Sequence, residues 1–115
     1  MNQEIPIDLA KLEKITKGDR EFQQQLLTIF MEDAPLFVEE IKKALISQDY
    51  EYLERKAHQL KGSSASIAMF EISAIAEKWE KQGNNQKIED SEAMVEQMEM
   101  MLKQVQLFLD ARDNW

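Results

Sequence analysis

The sequence predicts an all-α fold, an antiparallel four-helix bundle with a short extra helix at its N-terminal side. Only three glycines and two prolines occur in 115 residues, too few to punctuate a series of short strands. Val, Ile and Thr nowhere alternate with polar residues over a long run, whereas apolar residues recur at steps of three and four throughout. The periodic stretches are separated by short polar breaks, which favours antiparallel neighbours. No repeat, low-complexity stretch or linker divides the chain. Residues 1–115 are therefore read as one domain with one core, above the size at which disulfides or metals are needed.

In the first element Asp8 is the expected N-cap, Leu9, Leu12 and Ile15 follow at helical spacing, and Lys17-Gly18 ends it. This short helix reads as a lid on the bundle. Asp19 is the next N-cap, and Phe22, Leu26, Phe30, Phe37, Ile41 and Leu45 mark one apolar face as far as about Ser47. Pro35 lies inside this helix. It removes a backbone N–H and presses on the preceding turn, so a kink near Asp33 is expected rather than a break.

Asp49 caps the third helix, whose inward stripe is Leu53, Ala57, Leu60 and Ile67. Ala68 to Phe70 form the predicted turn into the fourth, whose apolar phase runs through Ile72, Ile75, Ala76 and Trp79 and stops at Gly83-Asn84-Asn85. The last helix is expected from about Glu89 to Ala111, with Met94, Met98, Met101, Val105 and Phe108 inward. Three of its four methionines, Met94, Met98, Met100 and Met101, share the core phase, so the core and not a soft binding groove is their expected destination. Adjacent acids such as Glu39-Glu40 and Glu89-Asp90 project in different directions from a helix and read as solvated faces.

Composition narrows function. The absence of cysteine removes disulfides and thiol chemistry, and a single histidine without cysteine makes a transition-metal site improbable. Asp and Glu number 22 against 14 Lys and Arg, a net charge of -8 that repels nucleic acid. The start Met-Asn-Gln-Glu-Ile-Pro is neither basic nor apolar, and no run approaches the roughly 18 apolar residues of a membrane span. A cytoplasmic chain without membrane contact is expected. No exposed heptad seam demands a dimer, so a monomer is expected as well.

The stretch Ala57 to Ser66, Ala-His-Gln-Leu-Lys-Gly-Ser-Ser-Ala-Ser, holds His58, the only histidine. Imidazole is the one side-chain type here that ordinarily titrates near neutrality, so a nucleophilic nitrogen is available without a dedicated base. At about 100° per residue Leu53, Ala57, Ser64 and Ile67 fall within roughly 60° of Leu60, while His58 lies roughly 160° away and points outward. Gly62, one turn on, costs about 1 kcal/mol against alanine inside a helix; a small residue there clears room for a partner to approach the ring. Lys61 sets a cation at i+3, suited to an incoming phosphoryl group. Ser64 falls on the buried stripe with no base at hand, which argues against serine nucleophilicity.

His58-x-Leu60-Lys61-Gly62-Ser63-Ser64 resembles the signature of the histidine-containing phosphotransfer (HPt) family. The likeness continues through Ile72, Ala76, Trp79, Glu80 and Gly83 and covers nearly the whole chain. It implies a phosphocarrier, not an autonomous enzyme, taking a phosphoryl group on His58 and exchanging it with an aspartate of a response-regulator receiver domain. A hybrid sensor histidine kinase is the implied upstream partner. The family uses no cofactor of its own; the Mg²⁺ belongs to the receiver.

Lys61 and Gly62 are then the supporting residues for phosphate and partner access, with Ser63, Ala65 and Glu80 as neighbours. Relatives often place glutamine at the position of Glu80. An anion there would repel phosphate, so Glu80 reads as a solvated helix-face charge, and Arg55 and Lys56 as surface charges. Leu36, off the main stripe, is a candidate for a receiver-docking patch. Many relatives also have glycine where this chain has Ala68, and alanine tolerates positive φ poorly. Two other classes compete. A helical scaffold in which His58 is incidental would show no phosphotransfer, and an ATP-using kinase is disfavoured because the three scattered glycines form no phosphate loop.

Overall fold

The computed structural model describes residues 5–111; residues 1–4 and 112–115 of the expected domain, including most of the N-terminal stretch read above, lie outside them. Five helices follow in order, α1 Leu9–Thr16, α2 Arg20–Ser47, α3 Tyr50–Ala65, α4 Phe70–Asn85 and α5 Ser91–Ala111. The described residues contain no strand. The helical starts are local chemistry. The carboxylates of Asp8, Asp19 and Asp49 accept hydrogen bonds from the backbone N–H groups of Lys11, Phe22 and Tyr52, satisfying donors that the first turn would otherwise orphan. α1, α2 and α4 stop at left-handed residues, Lys17 with φ 54°, Gln48 with φ 57° and Gln86 with φ 56°, whereas the α3 cap, Ser66, is right-handed.

α2 runs unbroken through Pro35. Its buried face is turned by less than half a residue step from the predicted one, and Phe30 and Ile41 belong to both. Gln23, Leu27, Phe30, Ala34, Val38, Ile41 and Ala44 point inward, while Phe22 is exposed and Leu26, Phe37 and Leu45 flank the core. Ala34 and Ala44 are buried on this face as well, and a pattern drawn through large residues alone leaves them out.

α2 packs on α3 and α5, α3 packs most extensively on α4, α5 also touches α4, and α1 lies against α2. Trp79, Leu53, Leu60, Ile72 and Met98 are fully buried where these faces meet, each contributing about 1.5–3 kcal/mol through removal of apolar surface from water. α1 is fastened by a buried polar pair, in which Gln23 Nε2 donates to Thr16 Oγ1 at 2.9 Å and Thr16 donates to the Leu12 carbonyl at 2.8 Å.

Gly83 does not end its helix. It lies buried inside α4, where a Cβ would stand 2.7 Å from the Tyr50 carbonyl oxygen and 2.8 Å from the Glu54 backbone nitrogen. The helix continues to Asn85. At the opposite end of the same antiparallel pair, Ser73 Oγ donates to the Lys61 carbonyl at 3.1 Å. The turn between them contains Ala68 at φ 64°, fully buried, with its carbonyl accepting from Asp8 N at 2.8 Å. Alanine thus occupies the left-handed region that glycine would take without strain, and the lid's hydrogen bond holds it there.

Candidate functional site

His58 sits in the third turn of α3 with its side chain 67% exposed, on the face opposite Leu53, Ala57 and Leu60. Gly62 is exposed on that face, and nothing lies within 4 Å of where its Cβ would be. Across the α3–α4 contact Glu80 approaches the ring. Its Oε2 lies 2.7 Å from His58 Nδ1, and its Oε1 lies 2.6 Å from Lys61 Nζ. The pairing of α3 with α4 brings these three side chains together, because Gly83 lets the backbones close at one end and Ser73 ties them at the other.

Glu80 is therefore not a solvated face charge, since its side chain is only 19% exposed and both oxygens are engaged. The hydrogen bond from Lys61 holds its carboxyl below the ordinary glutamate range. Partial burial opposes that effect, and the hydrogen bond from His58 adds to it. In return Glu80 raises the Lys61 ammonium, chiefly through the same hydrogen bond. An ionised carboxylate only accepts, so His58 Nδ1 carries the proton in this contact. In the neutral ring the lone pair then belongs to Nε2. Nε2 has no hydrogen-bond partner among the described residues. The site offers one exposed nitrogen on a ring whose other nitrogen is anchored.

The remaining predicted neighbours stand apart from this triad. Ser63 and the fully buried Ser64 donate their hydroxyls to the Leu60 carbonyl, bonds within their own helix, and Ala65 is exposed. Leu36 is 65% exposed. The cationic residues one turn before His58 rest on aromatic rings, Arg55 at 5.2 Å over Tyr52 and Lys56 at 5.4 Å over Tyr52 and 5.9 Å over Phe37. Among the described residues no group of three or more His, Cys, Asp or Glu is arranged to hold a metal ion, and no helix is long and apolar enough to cross a membrane.

A family model for the Hpt domain matches residues 25–108, which include α3, α4 and the His58 site. The structure is similar to the crystal structure of histidine-containing phosphotransfer protein B (HptB) from Pseudomonas aeruginosa PAO1. The TM-score is 0.84 and the sequence identity 20%, covering 96% of each chain, a likeness of fold. No curated protein matches the sequence. The length and position of the family match establish that the chain belongs to the Hpt domain family of histidine phosphotransfer modules.

Proposed function

We propose that this chain carries a phosphoryl group on Nε2 of His58, receiving it from and returning it to an aspartate of response-regulator receiver domains. The observation that supports this most is the Nδ1–Glu80 contact at 2.7 Å, which leaves Nε2 as the exposed nitrogen. As Nε2 attacks an aspartyl phosphate, the P–N bond forms, the P–O bond to aspartate breaks, and the carboxylate leaves with the electron pair. Positive charge develops on the ring, and Glu80 stands ready to balance it through the Nδ1 proton.

The chain acts as a carrier without kinase activity, and the receiver supplies the Mg²⁺ that neutralises the phosphoryl oxygens in transfer. Gly62 leaves open the surface beside His58 along which the receiver approaches. A hybrid sensor histidine kinase is the class of protein that would feed this step.

The test is incubation of wild type and His58→Gln with a panel of receiver domains phosphorylated at aspartate, scoring acid-labile, alkali-stable phosphate on this chain. Labelling of wild type alone is expected. Equal labelling of His58→Gln, or none of wild type by receivers that do label another carrier, would remove the proposal.

A further inference from the structure

We propose that the seam between α2 and α5 is a second docking surface, remote from His58, and that its occupant is a basic amphipathic helix of a partner protein. α3 packs on α2 and α4, and α5 packs on the same two helices, so the α2–α5 and α3–α4 pairs form opposite faces of the bundle. His58 and Glu80 occupy the α3–α4 face. A helix laid on the opposite face leaves the His58 ring open.

Two open apolar grooves follow one another along the seam. Leu45, Ile46 and Val95 line the first, of about 320 Å³, and Met31, Pro35, Val38 and Leu102 line the second, of about 360 Å³. Ile46 is 85% exposed, the most of any large apolar side chain among the described residues. Leu45 and Val38 are seven residues apart on α2, as are Val95 and Leu102 on α5, which sets the grooves about 10 Å apart. Residues i and i+7 of an incoming helix have that spacing and share a face, so one helix fills both grooves with two apolar side chains. In a strand the residue about 10 Å on is i+3, which points to the other side. Between the grooves Lys42 holds Glu39 at 3.2 Å and Glu99 at 3.1 Å, a bridge that a small residue midway along the occupant would clear.

Charge sets the sign of the occupant. Glu39, Glu92, Glu96 and Glu99 line the grooves against Lys42 and Lys103. Lys42 is already shared by two of these acids, while Glu92 and Glu96 form no ion pair among the described residues. Pro35 has no N–H for the Met31 carbonyl, and both residues line the second groove, so an acceptor without its helical donor is also offered there. A second copy of this chain would bring a net charge of -8 to an acidic seam, and an anionic lipid surface would be repelled likewise. Lys or Arg flanking two apolar anchors complements it.

The probe is a fluorescein-labelled, alanine-based helical peptide of about 16 residues, with leucines at i and i+7 flanked by lysines, titrated with the whole chain and read by anisotropy. One control peptide carries its leucines at i and i+5, and another has glutamate for every lysine. ¹H–¹⁵N correlation spectra locate the site, and sedimentation of the chain alone reports self-association. Ile46→Glu puts a charge into the first groove at an exposed position. A double variant, Glu92→Gln with Glu96→Gln, removes the rim charge at two exposed positions.

Saturable binding is expected, with shifted amides centred on α2 and α5. Ile46→Glu should weaken it by about tenfold, as loss of an anchor does, and the double variant by about threefold, an effect that shrinks as salt rises. Both control peptides should bind at least about tenfold more weakly than the probe. Absence of saturable binding, equal affinity for either control peptide, unchanged affinity in folded Ile46→Glu or in the double variant, or shifts centred on α3 and α4 overturns the assignment. The double variant and the control peptides decide the matter should Ile46→Glu fail to fold. Self-association of the chain alone that Ile46→Glu abolishes would give the seam to a second copy, and so overturn the proposal as well.

Discussion

Gly62 and Gly83 lie in the last turns of α3 and α4, so intrinsic propensity alone would have Gly→Ala stabilise at either place by up to about 1 kcal/mol. The surroundings separate them. At Gly83 an added Cβ meets the Tyr50 oxygen at 2.7 Å and the Glu54 nitrogen at 2.8 Å, where ordinary contact begins near 3.4 Å, and both obstacles are backbone. No rotamer change relieves the clash. α4 must withdraw from α3 by about 0.7 Å, loosening the most extensive helix contact of the fold. Overpacking of this kind costs about 1–3 kcal/mol, and rigid neighbours put it at the upper end. After the propensity gain, Gly83→Ala should destabilise by about 2 kcal/mol, whereas Gly62→Ala, with open space around it, should stabilise by about 0.5–1 kcal/mol. Equilibrium urea unfolding with a shared m-value resolves both signs. Gly83→Ala matching or exceeding wild type would show that α3 and α4 do not approach as closely as described, and the positioning of Glu80 would lose its basis.

Further expectations concern the site and its supports. Gly62→Leu should keep the bundle folded but slow phosphoryl exchange with receivers; unchanged rates in stopped-flow transfer would refute the role of Gly62 in access. The Glu80 carboxyl is held below the ordinary glutamate range, chiefly by Lys61. The stability drawn from this contact is therefore present above that range and lost as pH falls through the depressed value. A ¹³C carboxyl titration placing Glu80 at or above an ordinary glutamate would contradict it. Thr16→Val should cost about 1 kcal/mol by taking the nearer acceptor from the buried Gln23 amide, which keeps only its 3.4 Å contact to Glu13, read from the urea midpoint, and an unchanged midpoint would show that this pair does not fasten α1. Ala68→Gly relieves a left-handed alanine worth about 1–2 kcal/mol but loses a buried methyl of about 0.8 kcal/mol and frees the unfolded chain. A net change under about 1 kcal/mol is expected, and a larger shift in either direction would mean that one of these terms is misjudged.

The local parts of the fold were legible because local chemistry makes them. Asp8, Asp19 and Asp49 announce helix starts through the oxygens they offer the first turn. His58 faces outward because its phase opposes Leu60, a property of one helix. What could not be read depends on how two helices meet. Glu80 is 22 residues from His58, and only the register of α4 against α3 gives it both ring and ammonium as partners. Gly83 looked like a terminator because Asn84-Asn85 follow it, yet its small size serves the neighbouring helix. The face of α2 was drawn off-centre for a related reason, since Ala34 and Ala44 carry little hydrophobic signal yet are buried on it.

Both halves of the His58–Glu80 contact belong to one helical hairpin that is clamped at its two ends, by the backbone approach at Gly83 and by Ser73 on the Lys61 carbonyl. Its geometry takes no side chain from α1 or α5. Small domains open piecemeal, and the outer elements fray first. In this protein such breathing would leave the alignment of His58, the proposed phosphoacceptor, intact. The exposed Nε2 is thereby insulated from the thermal noise of the rest of the bundle, and amide exchange in α3 and α4 should outlast that in α1 even when the lid is open.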